Sequence, residues 1–183
     1  MLFEQLRIPD VWLLTPKVFG DSRGFFMETF RQSEFDAHCG PFTFVQDNHS
    51  KWRQGILRGL HYQLKKPQGK LVRVTQGEVF DVVVDLRKHN PTFGQWAGVY
   101  LSAENSQMLW IPPGFAHGFY VTSDVAEFQY KCTDYYHPGD EYSLRWDDPK
   151  LGIVWPLVDA KPPTLSAKDD LGQALAWADA PVF

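Results

Sequence analysis

Two histidines and a lysine stand in settings from which side chains could act on a bound molecule. His61 lies in the run Gly55-Ile-Leu-Arg-Gly-Leu-His61-Tyr-Gln63; Lys70 follows it, with Gly77 further on. His117 closes the run Pro112-Pro-Gly114-Phe-Ala-His117. Imidazole has the side-chain pKa nearest neutrality, so a histidine serves as a general base. An ammonium is a fixed positive charge suited to an oxyanion that develops during reaction. Removing a proton alpha to a carbonyl needs both, one for the C–H bond and one for the enolate. Returning the proton to the opposite face needs an acid across the pocket, and a tyrosine phenol suffices. Those three roles define an epimerase. Singly, each residue has an ordinary reading: His61 as an alternating strand residue, Lys70 as a solvated loop lysine, His117 as part of a turn.

The spacing supports a joint reading. Together the two runs resemble the paired motifs of the cupin superfamily: Gly, five residues, His-x-His, then Glu, six residues and Gly; and Pro-x-Gly-x-x-His. The resemblance spans about Gly55 to His117 and implies one cavity holding His61, Lys70 and His117. A typical cupin binds a metal through three His and one Glu. Here Gln63 replaces the second His and Lys70 the Glu. An ammonium has no lone pair for a metal, and a glutamine amide is a poor ligand for transition metals. The expectation is a cavity without a metal or other cofactor. A metal-dependent cupin isomerase or dioxygenase is disfavoured for the same reason. A non-catalytic sugar-binding β-sandwich is a third possibility, and it would bind without exchanging carbon-bound protons.

What positions these residues reads as all-β. Gly and Pro break the chain every ten or so residues, with short apolar runs between them, the rhythm of a sandwich or barrel. Fourteen Phe, seven Tyr and seven Trp suit pleated, half-buried surfaces. The clearest expected hairpin runs from Leu71 to Leu86, its arms Leu71–Thr75 and Val79–Leu86 joined at Gly77. Further arms are Trp96–Ser102, Gln107–Ile111, Gly118–Thr122 and Ala126–Asp134. Ser33 is expected to cap a short turn through His38. A C-terminal helix is expected after Ser166, since Leu171, Ala174, Leu175 and Ala178 form one apolar stripe. With 183 residues, the chain suits one domain over 1–183.

Formal charge is −4, no general invitation to nucleic acid or an anionic membrane. Neither a membrane span nor a signal peptide is apparent, so a cytoplasmic protein is expected. Cys39 and Cys132 match no zinc or redox spacing; free thiols are the simpler reading, one disulfide the other.

A closer resemblance covers about Ile8 to Asp170. The segments at 21–30 (Asp-Ser-Arg-Gly-Phe-Phe-Met-Glu-Thr-Phe), 45–50 (Val-Gln-Asp-Asn-His-Ser), 58–63, 69–74, 111–119 and 165–169 (Leu-Ser-Ala-Lys-Asp) are similar, in order, to the dTDP-4-dehydrorhamnose 3,5-epimerase family. The resemblance implies a cupin-type jelly-roll barrel with short flanking helices, acting on a dTDP-4-keto-6-deoxy sugar. It makes His61 the base, held by Asp169, with Lys70 stabilising the C4 enolate and Tyr130 the acid on the opposite face. Arg23 and Arg58, with Gln46, Asp47 and Asn48, would hold the pyrophosphate and neighbouring groups. Tyr136 would stack on the thymine, and Glu28, His117, Glu141 and Lys168 would complete the shell. It also implies a homodimer whose N-terminal segment crosses to the partner's site. A mono-epimerase or ketoisomerase acting on a related dTDP-4-keto sugar is the alternative; the pairing of His61 and Asp169 with Tyr130 favours the double epimerase.

Overall fold

The computed structural model describes residues 1–174. Thirteen strands and two short α-helices are present among the described residues: β1 (Leu2–Gln5), β2 (Trp12–Thr15), β3 (Val18–Asp21), β4 (Gly24–Met27), α1 (Gln32–Cys39), β5 (Gln46–Arg53), β6 (Leu57–Gln63), β7 (Lys70–Gln76), β8 (Glu78–Asp85), β9 (Trp96–Ser102), β10 (Met108–Ile111), β11 (Phe115–Val121), β12 (Val125–Cys132), β13 (Glu141–Ser143) and α2 (Ala167–Asp170). A six-stranded antiparallel sheet runs β1-β2-β10-β7-β12-β5. A five-stranded one runs β13-β6-β11-β8-β9, and β3-β4 is a separate hairpin. The two large sheets face one another as a jelly-roll barrel of the cupin type.

Alternation along the strands fills three layers. Val72, Val74, Ile111 and Phe128 from the six-stranded sheet meet Val79, Val83, Phe115 and Phe119 from the five-stranded sheet inside the barrel. On the outer face of the five-stranded sheet, Phe80, Val82, Val84 and Tyr120 pack under Leu144, Leu151 and Trp155. On the outer face of the six-stranded sheet, Leu14, Leu71 and Trp110 pack under Phe35 of α1. β8 is therefore buried along nearly its whole length, as its Val-rich sequence suits. β5 alternates in burial at every residue, with Gln46, Asn48, Ser50 and Trp52 on its more protected face.

The expected hairpin at Leu71–Leu86 is not formed. Both arms are strands, but β7 pairs with β10 and β12 whereas β8 pairs with β9 and β11. Gly77, at φ 71°, turns the chain from one sheet into the other. A Cβ there would lie 1.9 Å from the Val125 carbonyl oxygen, so only glycine fits. Two apolar arms around a glycine suit a corner between stacked sheets as well as a hairpin.

The helix expectations also need correction. α1 begins a residue before Ser33, with Arg31 at its N-cap and no side-chain cap. Ser166 does cap α2, accepting from the Asp169 N–H, but that helix ends at Asp170. Leu171 is 80% exposed, so it contributes no buried stripe, and Leu175 and Ala178 lie outside the described residues. Cys39 and Cys132 are free thiols, and burial pushes Cys39 up to about 12. Among the described residues, no helix is long and apolar enough to cross a membrane.

β6 carries the feature that matters most for the site. In a regular strand, Arg58 and His61 would point to opposite faces. The pairing of β6 with β11 is instead irregular: His61 lies opposite His117, but Arg58 lies opposite Phe119. This bulge, centred on Gly59 at φ 120°, brings both side chains to the same cavity. Gly59 and Gly118 touch backbone to backbone there; a Cβ on Gly59 would sit 2.5 Å from the Gly118 Cα.

Candidate active site

Between the two sheets lies a cavity of about 280 Å³, lined among others by Arg58, His61, Lys70, His117, Tyr130, Tyr136 and Glu141. His61 enters from the five-stranded sheet, Lys70 and Tyr130 from the six-stranded sheet opposite.

The His61 ring is held from both sides. Its Nε2 is 2.5 Å from Asp169 Oδ1, and its Nδ1 lies 3.8 Å from Glu141 Oε1. Asp169 arrives from α2 with its side chain fully buried. It also accepts from Ser166 Oγ (2.7 Å), Arg58 Nε (3.2 Å) and the Gly59 N–H (3.4 Å). Burial alone would raise this carboxyl; the bonds from His61 and Ser166 and the nearby His61 and Arg58 charges outweigh it and hold Asp169 at about 2. A carboxylate only accepts, so Nε2 carries the proton and Nδ1 keeps its lone pair in the neutral ring.

His117 belongs to a second pair. Its Nε2 lies 3.0 and 2.9 Å from the two oxygens of Asp81, and both residues are buried. Burial pushes the Asp81 carboxyl up and the His117 imidazole down, each opposed by the other.

Lys70 opens β7, and its ammonium makes no hydrogen bond or ion pair among the described residues, so it is available to a ligand. Burial lowers its pKa, an effect opposed by Glu141 and Asp81 among others. Burial raises the Tyr130 phenol. Around the rim, the Tyr136 hydroxyl donates to Glu141 at 2.5 Å and is pushed up to about 12 by that bond. Lys168 ion-pairs with the same carboxylate. Gln46 and Asn48 line the cavity from the protected face of β5, and the Arg58 guanidinium lies 4.5 Å over the Trp52 ring.

Three expected site residues are not brought here within the chain. Asp47 points to the exposed face of β5 and pairs with Lys131 at 3.1 Å. Arg23 sits on the β3–β4 hairpin, its side chain 88% exposed and bound to Asp21. Glu28 pairs with Arg31. Conversely, Asp81 was not singled out from the sequence. Its signal is a carboxylate inside the apolar run Val79-Phe-Asp81-Val-Val-Val, where an unpaired charge is costly. Gln68 and Cys132 also line the cavity without having been expected. Among the described residues, no group of three or more His, Cys, Asp or Glu is arranged to hold a metal ion.

Similarity to known proteins is extensive. Residues 5–176 match the family model of dTDP-4-dehydrorhamnose 3,5-epimerase. The dTDP-4-dehydrorhamnose 3,5-epimerase of Pseudomonas aeruginosa is 60% identical over 176 residues, covering 96% of each chain. The dTDP-6-deoxy-D-glucose-3,5-epimerase of Legionella pneumophila Philadelphia 1, solved with dTDP-4-keto-L-rhamnose, is 48% identical with a TM-score of 0.94, over 100% of this chain and 98% of its own. ChmJ of Streptomyces bikiniensis, a 3'-monoepimerase solved with dTDP-quinovose, is 36% identical with a TM-score of 0.89, over 96% of this chain and 88% of its own.

Proposed function

This chain belongs to the dTDP-4-dehydrorhamnose 3,5-epimerase family, and from that membership we propose how its own residues perform the isomerisation. The substrate is dTDP-4-dehydro-6-deoxy-D-glucose, the product dTDP-4-dehydro-L-rhamnose, with inversion at C3 and C5.

His61 removes the proton from the carbon alpha to the C4 ketone, using the ring nitrogen that Asp169 leaves free. The C–H electrons pass into the C4 enolate, whose oxygen meets the Lys70 ammonium. Tyr130, across the barrel on β12, returns a proton to the opposite face, and the ketone reforms with its neighbour inverted. Solvent takes the proton from the His61 imidazolium and restores the Tyr130 hydroxyl, and the second carbon then follows the same cycle. Arg58, Gln46 and Asn48 hold the diphosphate and neighbouring groups, Tyr136 stacks on the base, and His117, Glu141 and Lys168 complete the wall. Arg23 and Glu28 fit this reading through a homodimer in which the N-terminal segment reaches the partner's pocket, whereas Asp47, on the outer face of β5 and paired with Lys131, takes no part in it. Neither metal nor cofactor takes part, as Gln63 and Lys70 occupy the places of two metal ligands. We place the enzyme in the cytoplasm as one catalytic unit over 1–183.

The observation that carries this reading is His61 on one sheet, held by Asp169 of α2, facing Lys70 and Tyr130 on the other sheet across one cavity. Incubation with dTDP-4-keto-6-deoxyglucose in D₂O, followed by NMR, tests it. Deuterium is expected at both C3 and C5; exchange at only one identifies a mono-epimerase, which the likeness to the S. bikiniensis 3'-monoepimerase keeps in view. In Tyr130→Phe, deuterium wash-in is expected to outlast net inversion. Parallel loss of both removes Tyr130 from the role of acid.

A further inference from the structure

Gln63 lies two residues beyond His61 on β6 and is 4% exposed. Its Nε2 donates to the Lys66 carbonyl (2.7 Å) and the Tyr135 carbonyl (3.4 Å), and its Oε1 accepts from the His137 N–H (2.9 Å). Two of these bonds thus fall on either side of Tyr136. The Tyr136 N–H itself donates to Gln46 Oε1 (3.0 Å), and Gln68 Nε2 donates to the Asp134 carbonyl (2.8 Å). Three glutamine amides therefore hold the main chain of 134–137. Asp140 gathers the N–H groups of Leu64, Lys65 and Lys66 beside them. Tyr136 meanwhile remains 47% exposed at the cavity edge.

A carboxamide is donor and acceptor at once, which is what gripping a carbonyl and an N–H around one residue requires. A carboxylate lacks the donor and an ammonium the acceptor. Segment 133–137 contains no strand or helix, so without these bonds a ligand would have to order it on arrival.

We propose that Gln63 is a positioning residue for nucleotide recognition: it fixes the peptide around Tyr136 and so sets affinity for the nucleoside diphosphate portion of the substrate, not the rate at the sugar carbons. The proposal rests on the reading of Tyr136 as the stacking residue. Calorimetric Kd for dTDP and steady-state kinetics would be measured for wild type, Gln63→Met, Gln68→Met, Tyr136→Ala and the Gln63→Met/Tyr136→Ala double variant. In Gln63→Met, Kd and KM are expected to rise about tenfold, as when a preorganised contact is released, with kcat within about twofold. The double variant is expected to bind no more weakly than Tyr136→Ala, because one effect acts through the other. Unchanged affinity, full additivity, or a fall in kcat as steep as that in kcat/KM overturns the proposal. Should Gln63→Met fail to fold, Gln68→Met must weaken dTDP by about two- to threefold for the proposal to stand, since it frees a single bond. Normal dTDP binding by Tyr136→Ala removes the stacking reading and this proposal together; weakened binding there beside normal binding by Gln63→Met removes only the proposal.

Discussion

The cavity contains two histidine–aspartate pairs that resemble one another on paper and differ in what surrounds them. Asp169 comes from a distant helix and accepts from Ser166, Arg58 and the Gly59 N–H besides His61, so it stays ionised despite burial. Asp81 comes from the neighbouring strand β8, and among the described residues its carboxyl bonds only His117. Burial then pushes both members of that pair toward their neutral forms. The contrast teaches that a carboxylate polarises a base only when other donors offset its desolvation. The first pair is equipped for proton transfer; the second is equipped to hold a ring in place.

That contrast is breakable. His61→Asn is expected to lower turnover at least about a hundredfold with the fold intact by circular dichroism, since a positioned base contributes roughly 10²–10⁴. Near-normal turnover would remove His61 from the chemistry. Asp169→Asn is expected to cost about 10- to 100-fold in kcat, the usual effect of losing the group that orients a histidine. Asp81→Asn keeps an acceptor for His117 and exchanges a charge-assisted bond for a neutral one. A loss of only about fivefold is expected, and a cost equal to that of Asp169→Asn would erase the distinction.

The smallest effect concerns acid stability. Asp169 is held at about 2 in the folded chain against an ordinary value of 3.8. The stabilisation linked to it is complete above 3.8 and disappears as pH falls from there to about 2. The stability difference between wild type and Asp169→Asn should therefore narrow through that window in denaturant titrations. A difference independent of pH would mean that Asp169 ionisation contributes nothing.

Much of this arrangement was legible in the chain, where local spacing carries the information. The runs containing His61 and His117 announced a barrel and a shared cavity. The remainder depends on pairings distant in sequence. Nothing around Phe80 or Val82 says that Asp81 meets His117, since that contact follows from the alignment of β8 with β11. Alternation places Arg58 and His61 on opposite faces, and a bulge overrides it. The Leu71–Leu86 arms read as partners because apolar strands around a glycine look alike whether they share an edge or face one another. Arg23 and Glu28 belong to the exposed β3–β4 region, where Phe25 and Phe26 are each 70% exposed, and neither lines the cavity within the chain.

The contact between Gly59 and Gly118 has a consequence for anyone redesigning this pocket. What sets the gauge between the strands carrying His61 and His117 at that point is missing atoms. A methyl at 118 would meet the Arg58 carbonyl at 2.6 Å and force the two rails apart. The reactive groups would then be misaligned although none of them had been altered, so tolerance to substitution here should track backbone bulk and ignore polarity.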